Sequence, residues 1–216
     1  MRRLIHAILT LVTLGVPATA STLAIESFEI FGGNGCNAIP EFNCGFSFVA
    51  DTDLTVTALG AYDSASSPIS GAGSTVTLYD FDTQEVLGTT TVTASSRLAG
   101  ATITGGGLAG DYRMVDLVTP ISLLAGERYM LAALGTLAPL PDPGSPTIFN
   151  GISDVLGYFV SGTGFPTGGG TSTSFLAPNL EYQTAVIPLP ASLPLLASVL
   201  LGLFGLVRLR RRPAGA

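Results

Sequence analysis

Lysine and tryptophan are absent from the 216 residues, histidine occurs once, at His6, and cysteine twice, at Cys36 and Cys44. Each shortage removes chemistry. Without lysine there is neither a Ser–Lys dyad nor a Schiff base. If His6 is lost with a leader, as read below, no Ser–His–Asp or Cys–His arrangement and no His-ligated zinc remains. The triple-glycine runs Gly105–Gly107 and Gly168–Gly170 lack the strand–loop–helix setting of a phosphate loop. Basic residues are scarce where it matters. Of nine arginines, only Arg97, Arg113 and Arg128 lie away from the two ends, against fifteen acidic residues between Glu26 and Glu181, a balance of −12. A surface of that sign repels nucleic acid and anionic lipid headgroups.

What is present begins with a leader. Met1-Arg2-Arg3 precedes the apolar run Leu4 to Val16, and Ala18-Thr19-Ala20 supplies the small residues that signal peptidase needs. Residues 1–20 therefore read as a signal peptide cut after Ala20, with signal peptidase and the secretion machinery as its partners.

The other end has three parts in order. Ile187-Pro188-Leu189-Pro190-Ala191 is followed by Ser192-Leu193-Pro194, by the apolar stretch Leu195 to Val207, and by Arg208, Arg210, Arg211 and Arg212. Pro188 and Pro190 bar a helix at the front by removing N–H donors and crowding the preceding turn. Ser192 is suited to cap a helix that still tolerates Pro194 in its first turn. A helix over about 192–209 would be roughly 27 Å long, enough for a thin bilayer. The arginines of residues 208–212 then stop transfer and stay in the cytoplasm. This ordered ending resembles the PEP-CTERM class of bacterial C-terminal sorting signals, and most closely its VPLPA-CTERM variant, with Ile187 where Val is commoner. The resemblance implies an exosortase-type membrane protease acting near Ile187–Ala191. It implies an exported protein, held first in the inner membrane with its N-terminus outside and its C-terminus in the cytoplasm, then delivered to the cell surface or extracellular matrix. An ordinary C-terminal membrane anchor, in contact with the lipid bilayer, is the plainer alternative.

Between the ends, residues 21–186 read as one extracytoplasmic domain of about 165 residues, long enough to bury a core. The texture is that of strands, without helical periodicity. Candidate strands are Phe46–Ala50, Leu54–Tyr62, Ser74–Tyr79, Val86–Thr93, Tyr112–Val118, Glu127–Leu134, Gly157–Val160 and Ser174–Gln183. Apolar side chains alternate along Leu54–Leu59 and Thr75–Tyr79, the pattern of a half-buried antiparallel sheet. Asp80–Gln84 and Leu124–Glu127 read as turns, and breakers recur at the spacing of a sandwich or jelly roll. Ala138–Pro146, with four prolines, and the Gly/Thr-rich Gly162–Thr173 read as surface loops. The expected fold class is all-β: an antiparallel, jelly-roll-like β-sandwich. In an oxidising compartment Cys36 and Cys44 suggest one local disulfide, worth about 2.5 kcal/mol in the chain-entropy model. A metal or redox pair is the alternative, without further ligands or a CxxC spacing.

The succession Cys44-Gly45-Phe46-Ser47-Phe48, Leu54 to Asp63, Thr75 to Asp80, Val86 to Thr90, Tyr112 to Val115, Pro120 to Tyr129 and Ala177 to Tyr182 is similar to the DUF4082-type β-domain of secreted bacterial proteins. That resemblance implies the sandwich and no particular activity.

Carboxylate pairs survive the exclusions. Asp51/Asp53 and Asp80/Asp82 suit calcium, with Asp142 and Asp154 as further ligands, or acid–base glycoside hydrolysis. They equally suit turns, where Asp bonds its own backbone. No cofactor is expected, and calcium is the one candidate ion. For glycan contact, Tyr158 and Phe165 flank the Gly-rich loop and are the outward candidates; the other aromatics fall at core positions. The preferred reading is a non-catalytic surface or matrix protein associated with extracellular polysaccharide. An envelope-held carbohydrate-binding module is the alternative, and a carboxylate-based glycan hydrolase a third.

Overall fold

The computed structural model describes residues 21–34, 42–105, 108–143, 145, 147–170 and 175–184. The chain divides after Thr184, and every described residue precedes that division. The leader (1–20), Cys36 and the sorting motif, span and arginine cluster (187–216) lie outside the described residues. Among those described, no helix is long and apolar enough to cross a membrane.

The fold is all-β. In chain order the strands are β1 (Thr22–Leu23), β2 (Ile25–Asn34), β3 (Phe42–Ala50), β4 (Leu54–Ser64), β5 (Ser74–Asp80), β6 (Val86–Val92), β7 (Arg97–Leu98), β8 (Thr102–Thr104), β9 (Gly110–Leu123), β10 (Arg128–Leu134), β11 (Ala138–Pro141), β12 (Ile148–Phe149), β13 (Ile152–Ser161), β14 (Gly168–Gly169) and β15 (Pro178–Thr184). They form two sheets. A nine-stranded sheet runs β1-β15-β4-β9-β8-β2-β11, with β12 beside β2 and β7 beside β9; a six-stranded sheet runs β14-β13-β3-β10-β5-β6.

Alternation explains the layering. On β4, Leu54, Val56 and Ala58 are buried while Thr55 and Thr57 are half-buried. Phe46 and Phe48 on β3, Leu78 on β5 and Leu131 on β10 are buried from the six-stranded sheet. They join Leu59, Tyr62, Tyr112 and Leu180 of the nine-stranded sheet in a single core. One core shared by two antiparallel-rich sheets is consistent with a β-sandwich. The hairpin turn at Asp80–Gln84 joins β5 to β6 as expected, and Gly126 turns the chain into β10 at a φ of 81°.

Four expectations need correction. Ala138–Pro146 is not loop throughout: Ala138–Pro141 is strand β11, paired to β2 alone. Pro139 and Pro141 are tolerated because β11 is an edge, where a missing N–H costs no second ladder. Within Gly162–Thr173, Gly168–Gly169 pairs with Phe159 and Tyr158 of β13. The last strand begins at Pro178, not Ser174, because Phe175 sits in the left-handed region at a φ of 57°, which interrupts extended chain. The sheets are also not wholly antiparallel, since β2 and β8 run parallel.

Candidate functional site

The paired aspartates belong to turns. Asp53 accepts the Ala125 amide at 2.9 Å, and Asp51 accepts the Ser153 hydroxyl. Asp80 accepts both the amide and the hydroxyl of Thr83, each at 2.8 Å. Those bonds, the amide first, hold its carboxyl below the usual range. Asp82 is exposed on the same turn. Asp154 occupies a β-bulge of β13 with a φ of 52°, which aims its carboxylate at the Arg128 guanidinium. Among the described residues, no three of His, Cys, Asp and Glu gather into a metal site. Cys44 is buried on β3 and disulfide-bonded.

Tyr158 and Phe165 both pack on Phe81, on the outer face of the six-stranded sheet. Phe165 packs edge-on to Tyr79 at 5.3 Å and to Phe81 at 5.8 Å. Tyr158 meets Phe81 at 5.8 Å, and the Arg128 guanidinium lies over the same Phe81 ring. Beneath them Tyr79, Met130 and Ala132 are buried as a small second cluster. Both candidate rings are half-buried and packed edge-on against Tyr79 and Phe81. A stretch holding Gly162 and Gly164 carries Phe165 back over the sheet, tied by the Asn43 amide to Gly164 O at 2.9 Å.

The larger concavity lies on the nine-stranded sheet, and its geometry comes from bulges. Glu181 of β15, Ala58 of β4 and Asp116 of β9 stand in one row. One step along, Val56 pairs with Tyr182 on one side and Ile121 on the other. Thr57 is therefore extra with respect to β15, while on the other side the excess belongs to β9, whose residues 117–120 stand opposite Thr57 alone. Bulges of this kind twist a sheet locally and re-aim side chains. Here they open a cleft of about 880 Å³, whose lining includes Glu26, Thr57, Arg97, Asp116, Asn150 and Glu181 beside the Leu117–Pro120 excursion.

Arg97 is the centre of this cleft. It reaches from β7, beside β9, and forks Glu181: Nη1 donates to Oε1 at 2.8 Å and Nη2 to Oε2 at 2.6 Å. The same guanidinium donates to Asp116 Oδ1, from Nη2 at 2.9 Å and from Nε at 3.2 Å. Glu181 is buried, whereas the Asp116 side chain is 75% exposed. The hydrogen bonds it donates to Glu181, and then those to Asp116, hold the guanidinium firmly protonated against the opposing effect of burial. At the rim, Asn150 Nδ2 donates to Glu26 Oε2 at 2.9 Å and to Leu23 O at 3.2 Å. Both carboxylates on Arg97 act as hydrogen-bond acceptors.

Compared with protein-family models and with curated proteins, the chain matches none.

None of the six cleft residues stood out in the sequence, yet one signal was there. In a domain with three arginines and fifteen acids, each arginine is a scarce partner. All three are used: Arg97 with Asp116 and Glu181, Arg113 with Asp63, Arg128 with Asp154.

Proposed function

We propose that this chain is an exported, non-catalytic surface protein whose β-domain is cargo for an exosortase-type sorting system. The observation carrying this is the ordered ending: proline doublet, uncharged run to Val207, then four arginines. A signal peptide over 1–20 at the other end agrees with it. The domain between them is read as a jelly-roll-like sandwich, folded outside the cytoplasm and closed by a Cys36–Cys44 disulfide. A helix over about 192–209 holds the precursor in the inner membrane, and Pro188 and Pro190 keep the segment before it extended at the membrane face, where a protease can engage the backbone. What supports a non-catalytic role is that Asp51, Asp53 and Asp80 hold the chain through hydrogen bonds, and that Asp116 and Glu181 of the cleft are engaged by Arg97 and Glu26 by Asn150. The sorting route delivers the protein to the cell surface or extracellular matrix, with extracellular polysaccharide as its surroundings.

The test is processing in the native host. The full-length Pro188→Ala/Pro190→Ala double variant should accumulate as membrane-bound precursor, seen as a larger band by immunoblot of fractionated cells. Normal processing of that variant, or recovery of intact wild-type protein from cytosol with its cysteines reduced, overturns the reading.

A further inference from the structure

We propose that the cleft around Arg97 is a binding site for an uncharged polyhydroxyl ligand, a segment of neutral glycan. This goes beyond the sorting reading and stands whether or not an exosortase acts on the chain. The chemistry follows from how charge is arranged. One guanidinium lies among the carboxylates of Glu26, Asp116 and Glu181, so an anionic ligand meets an excess of like charge. A cationic ligand, in turn, meets Arg97 at the centre, already engaging two of those carboxylates. Opposite signs alternating over a few ångströms suit a group that is both donor and acceptor. A hydroxyl is that group: it donates to a carboxylate oxygen while accepting from a guanidinium N–H.

Two further observations favour the same class. The polar groups come held in place, Arg97 by its fork on Glu181 and Asn150 by Glu26 and Leu23 O, so little ordering remains to be done on binding. A volume of about 880 Å³ falls in the range of small-ligand sites, and the charged centre disfavours an apolar occupant. The six aromatic and apolar residues of the opposite sheet's outer cluster pack together.

The experiment titrates full-length protein in detergent micelles with three probes: oligomers of neutral hexoses, of glucosamine, and of galacturonic acid. Neutral oligomers should bind, with an affinity that changes little with salt. Asp116→Ala and Glu26→Ala, at exposed positions where folding is not at stake, should each weaken binding about tenfold or more with unchanged circular dichroism. Preference for glucosamine or galacturonate oligomers overturns the proposal, as does binding to none of the three. So does neutral-glycan binding that survives both cleft variants but is lost in Tyr158→Ala, which would move the site to the other sheet.

Discussion

Asn179 does the work of a backbone without being one. Its fully buried side chain accepts the Ile25 amide at 3.0 Å and donates to Ile25 O at 2.8 Å. Its oxygen also takes the Leu180 amide at 2.8 Å. The start of β2 is thereby joined to β15 across the length of the chain. Replacing Asn179 with leucine strands a buried amide and a buried carbonyl, a cost of about 2–4 kcal/mol, to be read from urea unfolding; a loss below 1 kcal/mol would mean the Ile25 groups find water. Nothing local marks this residue, because its partners are chosen by topology. The cleft was hidden for the same reason. Glu26, Thr57, Arg97, Asp116 and Glu181 are scattered over most of the domain: a shared row of β4, β9 and β15 brings Asp116 and Glu181 together, β7 adds Arg97 beside β9, and Glu26 comes from β2. The turn aspartates, by contrast, were readable, since Asp80 and Thr83 are near neighbours in sequence.

Strands that alternate cleanly were legible; strands that do not were missed. β4 shows the period of two and keeps it in its burial from Leu54 to Thr57. β5 shows it in which cluster each residue joins, Val76 and Leu78 in the main core and Tyr79 in the outer one, although Val76 to Tyr79 are all buried. β2 buries Ile25, Phe28 and Ile30, a spacing that changes parity between the first and second, so no single face can be read from it. β11 was hidden by its prolines, which only an edge position permits. Bulges such as those at Thr57 and Asp154 depend on what the partner strands do, and one strand's sequence is silent about that. Close packing between strands leads to a test at this level. A Cβ added at Gly45 of β3 would stand 1.9 Å from Leu131 O on β10, a backbone atom that cannot swing aside. Gly45→Ala should therefore push β3 from β10 and cost about 1–3 kcal/mol by chemical denaturation, whereas Gly162→Ala, with open space around it, would lose only what its positive φ imposes.

Taken whole, the domain buries its tyrosines deeply enough to set a limit at high pH. Burial raises the hydroxyl pKa of Tyr62 and Tyr112 well above normal, with added repulsion from Asp111 for both and from Asp63 for Tyr62. Both hydroxyls donate to backbone carbonyls, Tyr62 to Leu108 O and Tyr112 to Leu176 O. Tyr129 and Tyr182 shift the same way, chiefly through burial. Because the folded values are raised, stability is intact below about pH 10, where unfolded tyrosine begins to ionise. It falls as pH climbs toward the folded values, since only the unfolded chain can release those protons. Melting temperature should drop steeply above that point, and less steeply in Tyr62→Phe; equal slopes would show that Tyr62 ionises in place. At the margin of the nine-stranded sheet, β1 pairs antiparallel with β15, Thr22 opposite Tyr182 and Leu23 opposite Glu181. Residues 21 and 183 thus lie side by side, with β15 running on beside β4 to Thr184. Tension drawn between those two points would act across the hydrogen bonds and not along them, peeling the two-residue strand away one pair at a time. Under mechanical load the domain yields first at that short seam, while the strands around Phe46 and Leu59 are still gripped by their neighbours.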